Sequence, residues 1–198
     1  MNSVDPETRR GQLVDLFRDA EKCTRCPLHE NRTTVVFGAG NADADLMFVG
    51  EAPGAEEDRM GLPFVGRSGG VLDQLLDGIG ISRDDVFIAN VVKCRPPDNR
   101  DPSTSEIQEC SPYLEKQVEL VQPRLICTLG NFATKLLSAD KSGITKVHGQ
   151  VTAATIGSME VALYPMFHPA AALRSPTYAD GLREDFQRIP SLLGEAAS

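Results

Sequence analysis

The chain has 198 residues, 41% apolar and 24% charged, so it can bury one ordinary core and is neither a disordered nor a fibrous sequence. Its net charge of −8 excludes nucleic-acid binding driven by overall positive charge, yet residues 121–174 hold 5 basic against 2 acidic side chains, which leaves a locally basic segment. No apolar run reaches the ~20 residues of a membrane span, and the polar start Met1–Arg10 lacks the form of an export signal, so a cytoplasmic protein with no membrane partner is expected.

Asp5-Pro6 followed by Leu13, Leu16, Phe17 and Ala20 predicts a capped helix that delivers the turn Cys23-Thr-Arg-Cys26-Pro27. Leu46–Val49 is a short apolar run between Asp45 and Gly50, the pattern of a strand covered on both faces. A helix from Ser68 to about Gly80, with Leu72 and Leu76 on its inner side, precedes a strand over Val86–Val92. Ser103-x-x-Glu106 is a capping box that opens a helix to about Val121, and Leu125–Leu129 is the next strand. Asn131 is placed to cap a further helix; Val151–Ile156 and Glu160–Met166 read as strands, and Ala179–Leu193 as a terminal helix. This alternation predicts an α/β fold with a mostly parallel sheet and helices on both faces, one domain over 1–198 with 194–198 as a short tail. Ligands in such sheets sit beyond the carboxyl ends of the strands, which selects Gly50–Gly54, Asn90–Cys94, Gly130-Asn131 and Phe167–Arg174.

Five cysteines, an odd count, argue against a disulfide framework and bring metal or redox chemistry forward. Cys23 and Cys26 are spaced to reach one centre, while Cys94 and Cys110 flank a loop rich in Pro and Arg. Soft thiolates suit zinc or an iron–sulfur cluster, and one Cys-x-x-Cys with two scattered ligands is the commoner arrangement for a 4Fe-4S cluster. The plainer reading is a redox or chance pair beside core thiols. Cys127, inside an apolar strand, belongs to the packing. Gly61-Leu-Pro-Phe-Val-Gly66-Arg67-Ser68 nearly has P-loop spacing, but Arg67 replaces the lysine and no buried strand precedes it. The helix start at Ser68 can still receive one phosphate of a nucleic acid strand. Glu51, on a tight turn after a strand, faces the crevice as a base or a charge stabiliser, or else is a solvated loop residue. His168, fixed by Pro169 at the end of an apolar run, is a second candidate, unless it is a hydrogen-bonded structural histidine.

Taken together, Cys23-x-x-Cys26-Pro27-Leu28, Gly50-Glu51-Ala-Pro-Gly54, Gly61-x-Pro-Phe64-Val-Gly66, Asn90-Val-Val-Lys93-Cys94-Arg-Pro-Pro97, Asn99-Arg100, Cys110, Leu129-Gly130 and His168-Pro169 occur in order across 23–174. In these residues the chain resembles the iron–sulfur, thermostable-type uracil-DNA glycosylases, family 4 of their superfamily. The resemblance implies a three-layer α/β/α sandwich and a 4Fe-4S cluster held by Cys23, Cys26, Cys94 and Cys110. It implies a monomer whose partner is uracil-containing DNA, single- or double-stranded, with Glu51 and His168 catalytic and Ala52, Phe64 and Asn90 around the flipped uracil. Leu173 and Arg174 then take the gap left by the base, with Arg67 and Ser68 on the backbone; Lys93, Arg95 and Arg100 read equally well as phosphate contacts or as surface charge.

No lysine stands at the reacting positions, so a monofunctional glycosylase is expected. A crosslinking branch of the superfamily carries a His in a basic insert and Gln where this chain has Ala52; here Cys94 runs directly into Arg-Pro-Pro-Asp-Asn-Arg100, and His148 lies elsewhere. A second branch usually replaces the first-motif acid with an apolar residue, and Glu51 separates the chain from it. Two functions of a different class compete with base excision. A covalent uracil-DNA binder is disfavoured by the absent His, and an iron–sulfur electron carrier would have no purpose for the pocket motifs.

Overall fold

Six strands form one sheet in the computed structural model, which describes residues 4–195. They are β1 (Ala39–Gly40), β2 (Leu46–Gly50), β3 (Phe87–Asn90), β4 (Leu125–Leu129), β5 (Thr152–Ile156) and β6 (Met159–Met166), in the spatial order β1-β3-β2-β4-β6-β5. The four inner strands are parallel, and β1 and β5 are antiparallel edges. β5 turns into β6 through Gly157-Ser158; Gly157 takes φ 59° at the first central position, where a tight hairpin needs a residue without a Cβ.

Helices cover both faces because the inner strands present apolar side chains to both sides of the sheet. Met47, Val49, Phe87 and Ile126 pack beneath α1 (Pro6–Glu21) and α4 (Thr104–Val121), with Leu13, Leu114 and Val118. The alternate residues Leu46, Phe48, Ile88 and Leu125 meet Leu72 and Leu76 of α3 (Arg67–Gly78) and Leu182 and Phe186 of α8 (Pro176–Glu195). The Phe48 and Phe186 rings stack at 5.6 Å. Each such fully buried side chain contributes roughly 1.5–3 kcal/mol, so the sandwich is held by its two apolar interfaces.

The expected strand over Val86–Val92 is shorter, ending at Asn90, although the Val91 and Val92 amides still donate to Gly50 and Glu51 as the chain turns away. Asn131 is not a cap: Gly130, at φ 93°, takes that position for α5 (Asn131–Leu137), and Asn131 Oδ1 accepts instead from the Ile144 amide at 3.1 Å. Four further elements carry too few residues for a periodic signal: β1, α2 (Ala55–Met60), α6 (Ile144–Val147) and α7 (Pro169–Ala172). The helix expected over Ala179–Leu193 is α8, which begins three residues earlier, at Pro176, and includes Gly194 and Glu195. The rest of the expected tail, 196–198, lies outside the described residues. Among those described, no helix is long and apolar enough to cross a membrane.

Candidate active site

Beyond the carboxyl ends of β2, β3 and β6 the loops enclose a cleft of about 520 Å³. Glu51, Ala52, Phe64, Ser68, Asn90, His168 and Arg174 all line it. Three of the four loop segments selected by the sheet rule reach the cleft directly. The fourth acts from behind: a Cβ on Gly130 would stand 3.0 Å from His168 Cβ, so the bare glycine lets the histidine loop close down on β4.

The floor is made by Gly50, Phe64 and Asn90. A Cβ at Gly50 would fall 2.4 Å from Asn90 Oδ1 and 2.9 Å from Phe64 Cζ, so only glycine leaves both groups in place. Phe64 has φ 51°, a left-handed conformation that is strained for an aromatic residue. It is held there by the Glu57 carboxylate, which accepts from the Val65 and Gly66 amides at 3.0 and 2.9 Å, and by α3, whose Gly69 lies against the Phe64 carbonyl. Asn90 is 2% exposed, and its Oδ1 is buried with no hydrogen-bond partner. An orphaned acceptor of this kind is costly unless a ligand N–H completes it.

His168 approaches Phe64 from across the cleft, ring centroids 5.6 Å apart. The Ala170 amide donates to its Nδ1 at 3.0 Å, which fixes Nδ1 as the acceptor and leaves the proton of the neutral ring on Nε2. Burial pulls the imidazolium down to about 4, with Arg174 acting in the same direction and Glu57 opposing. His168 is therefore a neutral donor at physiological pH. Burial disfavours the charged form of Glu51 as well, which for an acid is a shift the other way: it pushes the carboxyl up to about 7, assisted by the facing carboxyl of Asp101.

The four cysteines lie on the other side of the Lys93–Arg100 loop, and Cys23, Cys26, Cys94 and Cys110 line one common cavity. Arg32 donates to Cys94 Sγ and the Lys93 amide to Cys110 Sγ, both at 3.3 Å. Among the described residues no group of His, Cys, Asp or Glu closes around a point as for a single ion. A cluster takes each thiolate at a different iron and so needs ligands set apart around a cavity, with N–H donors to the sulfurs, which these residues provide. Cys127 is elsewhere, fully buried in β4.

The sequence profile of the uracil DNA glycosylase superfamily matches residues 37–189, from the strand before β2 to the last helix. The chain belongs to this superfamily. It is 47% identical over 185 residues to the type-4 uracil-DNA glycosylase of Sulfurisphaera tokodaii, covering 91% of this chain and 84% of that one. The type-4 uracil-DNA glycosylases of Saccharolobus solfataricus and Thermotoga maritima are 45% and 46% identical, over 91% and 84% of this chain and 86% of each of theirs.

Within this uracil DNA glycosylase superfamily site, the sequence-selected residues separate into two sets. Glu51, Ala52, Phe64, Ser68, Asn90, His168 and Arg174 converge on the cleft; Arg67 and Leu173 are exposed and not part of its lining. Lys93 is a correction to the reading as a phosphate contact, since it is 2% exposed and turned inward. Arg95 is engaged within its own loop by Asn99 Oδ1 at 2.8 Å, whereas Arg100 lines the cleft and is held by Glu106 of α4 at 2.8 and 2.7 Å. His148 is outside the cleft lining, its ring tilted against Phe167 with centroids 4.2 Å apart and paired with Asp185 at 3.0 Å. Sequence reasoning misses Glu57 and Asp101: Glu57 stands in the acidic run Glu56-Glu57-Asp58, which reads as solvated charge, and Asp101 has no spacing signal.

Proposed function

We propose that this chain hydrolyses the N-glycosidic bond of uracil in DNA and leaves an abasic site, acting as a monofunctional glycosylase in the repair of deaminated cytosine. The observation that carries this reading is the buried, unpartnered Oδ1 of Asn90 opposite a neutral His168 in one cleft. Uracil offers an N–H and adjacent carbonyls on its pyrimidine edge. Asn90 Oδ1 accepts the N–H, its amide nitrogen donates to a carbonyl, and cytosine, with donor and acceptor exchanged, leaves both groups unpaired. Phe64 supplies the stacking surface and Ala52 part of the wall.

Reaching the base requires flipping it out of the stack. As the bond breaks, negative charge gathers on uracil and positive charge on the sugar. His168 Nε2–H donates to the O2 side of the leaving base, and ionised Glu51 orients water and offsets the sugar's charge. Ser68 and Arg174 at the cleft and Arg67 and Leu173 outside its lining meet the DNA backbone and the vacated stack. Lys93 is not available as an imine-forming nucleophile, because its Nζ is bonded to Asn90 and Gln117 away from the cleft. Cys23, Cys26, Cys94 and Cys110 would hold a 4Fe-4S cluster, which supplies a structural cross-link when bound. The unit is one domain that works as a monomer in the cytoplasm, on single- or double-stranded DNA.

The test is incubation with a uracil-containing oligonucleotide, alkaline cleavage and a parallel denaturing gel. Abasic sites formed with turnover are expected. Absence of abasic sites removes the proposal, and a denaturation-resistant adduct replaces it with crosslinking.

A further inference from the structure

Lys93 is a buried cation that takes no part in the chemistry above, and it lines the four-cysteine cavity rather than the cleft. Its Nζ donates to the Asn90 carbonyl at 2.8 Å and to Gln117 Oε1 at 2.5 Å. Gln117, fully buried on α4, donates in turn to the Phe37 carbonyl at 2.8 Å. The Lys93 backbone is equally engaged: its amide donates to Cys110 Sγ at 3.3 Å and its carbonyl accepts from the Val36 amide at 2.8 Å.

The sheet explains why a donor is needed there. β1 pairs with β3 only at Phe87 and Ile88, so the next outward carbonyl on that edge, at Asn90, has no strand partner. Lys93 Nζ takes the place of the missing strand. A longer β1 would satisfy the same carbonyl without burying an ammonium, which is costly unless well bonded. The ammonium differs in where it is anchored: it fixes the peptide of Asn90 from Gln117, on the helix that also carries Cys110. A small rotation of that peptide would swing the Asn90 amide, whose Oδ1 has no other bond to hold it.

We propose that Lys93 is a positioning residue for uracil recognition, holding the Asn90 peptide so that its side-chain amide meets the base edge, and tying that geometry to the four-cysteine segment. The proposal rests on the reading of Asn90 given above. A double-mutant cycle tests it, with Lys93→Met, Asn90→Ala and the double variant compared at saturating enzyme in single-turnover excision, beside affinity for abasic duplex, inhibition by free uracil and iron per chain. With Asn90 present, Lys93→Met is expected to lower the saturated rate and weaken inhibition by free uracil, each by about tenfold or more. In the Asn90→Ala background the further loss is expected to be under about twofold, with abasic-duplex affinity and iron content unchanged.

Equal losses in both backgrounds, or none with Asn90 present, overturn the proposal, because a merely structural lysine acts independently of Asn90. If Lys93→Met gives no folded protein, Gln117→Leu goes through the same cycle. It removes the acceptor that aims Nζ and leaves Lys93, Asn90 and all four cysteines in place. A loss confined to the Asn90 background is expected, and an additive or absent loss overturns the proposal. Failure of the unaltered protein to excise uracil strikes the functional reading instead.

Discussion

His168 and Glu51 are two ionisable groups whose surroundings move them in opposite directions along the pH scale: His168 is left in the neutral state its proposed role needs, while Glu51 reaches the ionised state of its proposed role only as pH rises through about 7. The Ala170 amide on Nδ1 would oppose a second ring proton, so His168 acts as a donor without being an acid. His168→Ala should lower single-turnover excision about 10²–10³-fold with little change in DNA affinity, the loss typical of one donor to a developing anion. A tenfold loss of affinity at an unchanged saturated rate would make it a binding residue. For Glu51, raised to about 7, the ionised form is the working one, so excision should rise with pH through about 7 and then level. His168, lowered to about 4, adds no limb in that range. Glu51→Gln should slow the reaction and remove the limb, as a pH–rate profile would record. Glu51 and His168 are legible in the sequence because each ends a strand-like run, and Asn90 because it stands in one of the ordered family motifs. Asp101 is not, since it enters the cleft only through the folding of the loop beyond Cys94.

At the scale of elements, the segment from α2 to α3 is a brace for Phe64. The Glu57 carboxylate fixes the loop after Phe64, and Gly69 lets the first turn of α3 lie on the Phe64 carbonyl, where a Cβ would come within 1.9 Å of the oxygen. Gly69→Ala must displace helix or loop; a cost of about 1–3 kcal/mol is expected, together with weakened capture of the flipped base. Denaturant unfolding and binding of uracil-containing duplex measure the two effects. α4 is readable from its capping box, and the structure has both reciprocal bonds of Ser103 and Glu106. Ser103→Ala should cost about 1 kcal/mol. The Arg100 guanidinium, with the Ser103 bonds, holds Glu106 down to about 2 against burial. Its stabilisation is therefore complete above the ordinary Glu range and lost as pH falls from there through about 2, which acid unfolding of Glu106→Gln against the unaltered protein would reveal. α2, α6 and α7 escape a reading by pattern because one or two turns show no period.

Over the whole molecule, the cysteine cavity joins the end of α1, the loop after β3 and the middle of α4. A cluster held there would cross-link segments far apart in the chain, so removing it should loosen the N-terminal part most. By analogy with a cross-link closing a loop of this length, the loss is roughly 3–5 kcal/mol, or about 6–20 °C in Tm at this size. Iron analysis, visible absorbance and thermal melts of Cys94→Ala and Cys127→Ala check this: the first should lose iron and stability, the second should keep its iron. Stoichiometric zinc without iron would overturn the assignment.

Alternation of apolar runs determined the α/β sandwich in advance, because a strand covered on both faces cannot hide its composition, and the ordered motifs from Cys23 to His168 carried the family. The sequence could not decide which charges face inward. Lys93 and Glu57 are residue types usual at the surface, and their roles arise from contacts that only the folded chain brings about, with Asn90 and Gln117 at the sheet edge and with Val65 and Gly66 in the turn between α2 and α3. The strain at Phe64 and the orphaned Oδ1 of Asn90 belong to the tertiary structure for the same reason. A backbone angle or an unmet hydrogen bond is imposed by how neighbouring segments pack, Glu57 and Gly69 around Phe64 and Gly50 against Asn90, and no periodic pattern encodes it.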